Sequence, residues 1–183
     1  MIFGILVGVI LAVVVIMFWY YYNRLVTLSN EIDNSLSQID VQLKKRSDLV
    51  PNLLASVKGY MKHEKGIVTE VTNARKALIG AKTMESKVKA GTELGNALKS
   101  VFALSENYPD LKANTNFLQL QQELSAIEDK VAYARQFYND STLSYNNACT
   151  TFPGTFFAKL YNRQAKEFLK IAAAERAVPK VSF

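Results

Sequence analysis

Residues 1–23 carry no charged side chain, and residues 1–19 are apolar throughout once Gly4 and Gly8 are counted as small apolar positions. Wound as a helix at 1.5 Å per residue, the apolar run reaches roughly 28 Å, close to the hydrocarbon thickness of a bilayer. Trp19, Tyr20, Tyr21 and Tyr22 follow, rings of the kind that settle at a membrane–water boundary, and the first cation is Arg24. A cleaved signal peptide needs a basic start and a small-residue cleavage site, whereas this chain opens Met1-Ile2-Phe3 and its apolar run ends in aromatics. A buried helix of a soluble domain would carry polar residues in such a length. Residues 1–22 are therefore expected to form a transmembrane anchor. Gly4 and Gly8 have the spacing that lets two anchors approach closely, but glycine is common in membrane helices without any such contact.

Orientation rests on few charges. Arg24 flanks one end of the span against only the α-amino group at the other, while Lys44, Lys45 and Arg46 lie about 30 Å further along a straight helix. The balance predicts a single-pass protein of the cytoplasmic (inner) membrane, N-terminus out and the rest in the cytoplasm. The lone Cys149 agrees, since an unpaired thiol suits a reducing compartment. One Cys and one His exclude a disulfide framework and a multi-ligand His/Cys metal site within one chain. At 183 residues, 49% hydrophobic and 21% charged, the chain has room for one folded domain beyond the anchor.

Beyond residue 23 the apolar period is helical. Leu25, Ile32, Ile39, Leu53 and Tyr60 share one seven-residue series with Arg46 in its remaining slot, and Leu36, Leu43, Val50 and Val57 fill a second. The series keeps phase across Pro51, which predicts a kink within one helix rather than a break. His63-Glu64-Lys65-Gly66 reads as that helix's end, with Gly66 past its last turn. A second helix is expected over residues 67–79 and a third after the cap Thr83, where Gly91 and Gly95 predict close packing against a neighbour. Asn107-Tyr108-Pro109-Asp110 reads as a turn, and Asn116 with Gln119 as a capping box.

The next helix has the cleanest pattern: Phe117, Leu124, Val131, Tyr138 and Tyr145 in one series, Leu120, Ile127, Ala134, Ser141 and Ala148 in the other. It is expected to stop at Phe152-Pro153-Gly154, followed by a helix over residues 155–174 and a non-helical tail. No strand-like alternation appears. The expected fold is all-α: a transmembrane helix continuing into an antiparallel up-and-down four-helix bundle over residues 23–152, with a short C-terminal helix and extended tail over 153–183 packing on or beside it.

The residues along this pattern resemble the LemA family. The resemblance is carried by Tyr22-Asn23-x-Leu25, Ser37-Gln38-Ile39-Asp40-Val41-Gln42-Leu43-Lys44, Asp48-Leu49-Val50-Pro51-Asn52-Leu53, Val57-Lys58-Gly59-Tyr60 and His63-Glu64. It continues through Asn107-Tyr108-Pro109-Asp110-Leu111-Lys112-Ala113-Asn114, Leu120-Gln121, Glu128-Asp129, Ala134-Arg135, Phe137-Tyr138-Asn139-Asp140, Tyr145-Asn146, Phe152-Pro153 and Pro179-Lys180-Val181-x-Phe183. The resemblance implies a bacterial or archaeal membrane protein with an N-terminal anchor, a cytoplasmic four-helix bundle and no assigned activity or catalytic residues. The sequence departs from the family pattern at Tyr161-Asn162-Arg163-Gln164-Ala165-Lys166-Glu167-Phe168, where Gly-Phe and prolines are expected.

Chemistry-bearing patterns are sparse. Tyr138-Asn139 and Tyr145-Asn146 lie one heptad apart on one helix face, and Tyr22-Asn23 opens the first long helix. They form either an aromatic, polar recognition ledge, or tyrosines that fill the seam while the amides satisfy buried partners. Gln121, Glu128 and Arg135 are also a heptad apart, and fit a structural ion pair or a catalytic acid with its partners. His63 suits a helix C-terminus; as a base for Cys149 it would face a thiol far from any helix N-terminus. Di-iron Glu-x-x-His motifs and a phosphate-binding loop are missing, Gly91-Thr92-Glu93-Leu94-Gly95 lacking the following Lys. Basic runs are interleaved with acids, as on solvated helix faces, and no nucleic-acid motif occurs.

No catalytic, cofactor-binding or metal-binding residue and no small-molecule substrate is assigned. The leading expectation is a scaffold at the bilayer surface that self-assembles or holds other membrane proteins. The alternatives are an enzyme using Glu128, Arg135 and Tyr138 in a bundle cleft, and an anionic-lipid sensor working through Lys44, Lys45 and Arg46.

Overall fold

A computed structural model describes residues 1–60 and 64–169. Every regular element among them is a helix: α1 (Ile2–Lys58), α2 (Lys65–Gly80), α3 (Met84–Ser105), α4 (Pro109–Lys112), α5 (Thr115–Thr150) and α6 (Gly154–Leu160). Pro51 lies inside α1 without ending it, as the unbroken apolar phase predicts. The described chain divides into two compact units, Met1–Ser35 with Gln136–Leu169 and, separately, Leu36–Arg135.

In the second unit the latter part of α1, α2, α3 and the first part of α5 form a four-helix core. Ile39, Leu43, Val50, Leu53 and Val57 are buried from α1, and Val71 and Leu78 from α2. Ala90, Leu94, Ala97, Leu98 and Val101 come from α3, and Phe117, Leu124, Ile127 and Val131 from α5. Burying a Leu or Phe side chain contributes about 1.5–3 kcal/mol, so these series hold the unit together. Thr83 caps α3: its hydroxyl accepts from the Ser86 N–H while Ser86 Oγ accepts from the Thr83 N–H.

Three local expectations are corrected. α1 ends at Lys58, with the turn at Gly59-Tyr60, and Tyr60 is exposed rather than in the seam; Gly66 sits in the first turn of α2, and His63 lies outside the described residues. The cap of α5 is Asn114, whose Oδ1 accepts from the Phe117 N–H, two residues before the predicted Asn116. The C-terminal helix stops at Leu160, so residues 163–169, predicted helical, form no helix; residues 170–183, with the expected tail, lie outside the described residues. Its cause is tertiary: side chains of α5 take up the backbone groups that a helix would use.

In the first unit the opening part of α1 packs with the last part of α5, with α6 and with the segment after it. Leu25 and Ile32 are buried from α1, Tyr138, Tyr145, Ala148 and Cys149 from α5, and Phe157 and Ala158 from α6. Ahead of these, the side chains from Met1 to Ile16 are exposed. α1 is the one helix among the described residues long and apolar enough to cross a membrane, and none of its most apolar window is buried.

Candidate functional site

Two polar constellations stand out, one in each unit. In the four-helix core the buried charge is Arg46, only 2% exposed. It occupies the slot in the α1 heptad series that is otherwise apolar, which aims it into the core. Its Nη1 donates to the Gly91 carbonyl at 2.9 Å, and its Nη2 pairs with the Glu128 carboxylate. Two glycines make the room. A Cβ on Gly91 would come within 2.5 Å of Leu43 Cδ2, and one on Gly95 within 3.3 Å of Glu128 Oε2 and 3.4 Å of Arg46 Nη1. The close packing predicted at Gly91 and Gly95 is thus met, and it accommodates an ion pair. Burial pushes the Arg46 guanidinium below its ordinary pKa; the Glu128 charge opposes this and the Arg135 charge adds to it.

Gln121 and Glu128 line a cavity of about 160 Å³ beside this pair, with Arg46, Gly95, Leu98 and Phe102. Glu128, the acid of the predicted catalytic line, is therefore engaged by Arg46. Arg46 in turn is not part of a surface basic run, which corrects the lipid-sensing trio: only Lys44 and Lys45 are exposed, and Lys44 pairs with Asp48 at 2.7 Å. A separate cleft of about 310 Å³ is lined by Asp40, Lys44, Asp48 and Lys87, with its charges matched as Lys44–Asp48 and Lys87–Asp40.

The second constellation explains the Tyr-Asn pairs. Tyr138 and Tyr145 are buried in the first unit, and the amides beside them hold the segment that follows α6. Asn146 Nδ2 donates to the Lys166 carbonyl at 2.9 Å, and its Oδ1 accepts from the Lys166 N–H at 2.8 Å. Asn139 does the same for Leu169, at 3.4 and 3.0 Å. Tyr138 donates its hydroxyl to the Glu167 carbonyl at 2.9 Å. Seven helical residues rise about 10.5 Å and three extended residues about 10 Å, so the two amides meet peptide groups three residues apart. Lys166 completes the strap: its Nζ donates to Ser29 Oγ at 3.0 Å, pairs with Asp33 at 3.5 Å and lies 5.5 Å over the Tyr145 ring. Tyr22-Asn23 behaves differently, Tyr22 packing edge-on to Tyr161 and Asn23 donating to the Trp19 carbonyl of its own helix.

Cys149 is buried beside Tyr145. Burial raises its thiol pKa, which the Tyr145 hydrogen bond and the Arg163 charge only partly oppose, so the thiol stays protonated. Among the described residues, no three of His, Cys, Asp and Glu gather as a metal ion would need. Sequence reasoning missed Lys166 as a partner of the Asn pairs and Arg46 as the partner of Glu128. The second was signalled by the heptad slot; the first carried no local signal.

The polar residues of both constellations bind helices and backbone to one another. Comparison with known proteins fits that picture. The sequence profile of the LemA family matches residues 35–183. The chain is 31% identical over 143 residues to Protein LemA of Metamycoplasma hominis, covering 74% of this chain and 64% of that protein. It is 24% identical over 173 residues to the Magnetosome protein MamQ of Magnetospirillum gryphiswaldense, covering 80% and 64%. To the Magnetosome protein MamQ 2 of Paramagnetospirillum magneticum it is 22% identical over 175 residues, covering 81% and 64%. The chain thus spans 64% of the length of each of these curated relatives. With the family profile matched from the first unit's edge through the whole four-helix core, the chain belongs to the LemA family.

Proposed function

We propose that the protein is a single-pass, membrane-tethered helical scaffold that works by assembling with itself or by holding other membrane proteins at the cytoplasmic surface, not by catalysis. The observation that carries this reading is α1 itself, one helix that is bare and apolar at its start and contributes core residues from Leu25 onward. The fate of the chemical groups supports it: Glu128 is paired with Arg46, the Tyr-Asn pairs hold the strap, and Cys149 is buried. The relatives are named for a family and for a cellular structure, not for a reaction.

The anchor comprises residues 1–22 and the N-terminus lies outside, as the lone flanking Arg24 favours. Crosslinking in native membranes followed by mass spectrometry tests the assembly. Adducts to a second copy or to another membrane protein are expected; recovery of monomer alone counts against the scaffold. Lys130→Cys in a Cys149→Ser background tests orientation, because Lys130 is exposed. A membrane-impermeant maleimide should label it only after cells are opened, and labelling of intact cells would reverse the topology.

A further inference from the structure

We propose that α6 is a second membrane contact, a short wedge whose outer face lies in the interfacial layer beside the anchor. This inference rests on the membrane reading of α1 and extends it to a part of the chain more than 130 residues away in sequence. α6 has two faces. Phe157 is buried, stacked on Tyr21 at 4.7 Å between ring centroids and edge-on to Phe18 at 5.0 Å. Phe156 and Leu160, four residues apart and so on one side, are 58% and 54% exposed, and Phe152 just ahead of the helix is 89% exposed. Large apolar side chains bared together on so short an element mark a contact surface.

The depth of α6 identifies what covers that surface. The Tyr161 hydroxyl donates to the Phe18 carbonyl at 3.0 Å, which fixes the end of α6 at the level of Phe18. Phe18 precedes Arg24 by six residues, about 9 Å of helix rise. With Arg24 among the headgroups, whose layer is about 5–8 Å thick, Phe18 falls at the edge of the hydrocarbon. The bare face thus belongs to a helix held at the depth of the exposed rings of Trp19, Tyr20 and Tyr22, and lipid is its occupant. Lys159 on the same helix is exposed, as a cation at a headgroup boundary would be.

Trp19 is the chain's only tryptophan, which gives the test two separate reporters. The full chain is reconstituted in phosphatidylcholine–phosphatidylglycerol vesicles containing phosphatidylcholine brominated either near the headgroup or deep in the acyl chain. Trp19 in the unsubstituted chain reports the anchor, and Phe156→Trp in a Trp19→Phe background reports the wedge. The expected result is blue-shifted emission from the wedge reporter, with a larger loss of intensity from shallow than from deep bromines. Water-like emission without quenching at the wedge, while Trp19 is quenched, overturns this inference and leaves the anchor standing. Blue-shifted emission that bromines do not quench also overturns it, since the face is then covered by protein. An unquenched Trp19 overturns the membrane reading and the wedge with it. Leu160→Trp in the same background, one turn along, repeats the measurement if Phe156→Trp does not fold.

Discussion

The amide of Asn146 holds Lys166 by both of its backbone polar groups, accepting from the N–H at 2.8 Å and donating to the carbonyl at 2.9 Å. A single side chain thereby stands in for one rung of a strand pairing. With each bond contributing about 0.5–1.5 kcal/mol, Asn146→Ala should destabilise the strap by about 1–3 kcal/mol. Faster hydrogen exchange of the Lys166 amide and cleavage at residues 161–169 under limited proteolysis are the readouts. Asn139→Ala should cost less, because its bond to the Leu169 carbonyl is the longer, at 3.4 Å. Equal protection in wild type and Asn146→Ala would show that the amide does not hold the strap.

The Arg46–Glu128 pair should behave asymmetrically. Glu128→Ala leaves a guanidinium with 2% exposure and the Gly91 carbonyl as its remaining described partner, and should cost about 2–3 kcal/mol in denaturant titrations. That is below the range for a fully buried pair, because the Glu128 side chain is 44% exposed. Arg46→Met combined with Glu128→Leu should recover much of the loss, since two apolar side chains replace two charges. A double variant less stable than Glu128→Ala alone would contradict this.

Gly91→Ala is expected to destabilise despite the better helix propensity of alanine. Propensity favours the change by up to about 1 kcal/mol, whereas overpacking against Leu43, itself 2% exposed, costs about 1–3 kcal/mol. Gly59→Ala meets nothing within 4 Å and serves as the control. Thermal midpoints measured side by side in detergent distinguish the two sites.

Alkaline pH should weaken the first unit. Burial raises the pKa of both Tyr145 and Cys149, so the folded chain retains protons that the unfolded chain has already released. Their contribution is complete below the unfolded thiol value of about 8.5 and is lost as pH climbs through the raised folded values. Denaturation midpoints should therefore fall as pH rises above the ordinary thiol range, less steeply in Cys149→Ser and Tyr145→Phe. Alkylation of Cys149 by iodoacetamide at neutral pH should be slow until the chain is unfolded.

Much of the four-helix core was legible because its information is local and repeated. Leu43, Val50 and Val57, like Phe117, Leu124 and Val131, follow a seven-residue period that a folded helix must bury on one side. The same period held a slot for Arg46, but the basic run Lys44-Lys45-Arg46 spoke for the surface, and the close packing expected at the two glycines of α3 did not name the arginine that fills the space beside them. The choice between neighbouring stop and cap signals was not legible. Gly59 and Gly66 both end a helix plausibly by composition, as Asn114 and Asn116 both start one, and only the geometry of the turn selects between them. Residues 163–169 were misread for a different reason. Gln164, Ala165, Lys166 and Glu167 are sound helix formers, yet the backbone groups of Lys166, Glu167 and Leu169 are captured by Asn146, Tyr138 and Asn139, twenty to thirty residues upstream.

All five bonds between the strap and Tyr138, Asn139 and Asn146 end on main-chain atoms of the strap. These bonds therefore measure chain length and are blind to composition, Lys166 alone adding contacts through its side chain. Exchanging Phe168 for another residue leaves every one of those bonds available, while inserting a single residue between Lys166 and Leu169 displaces the second peptide group by about 3.3 Å, beyond reach of its amide. Variation here should be tolerant of replacement and intolerant of insertion or deletion, the reverse of what an ordinary surface loop permits.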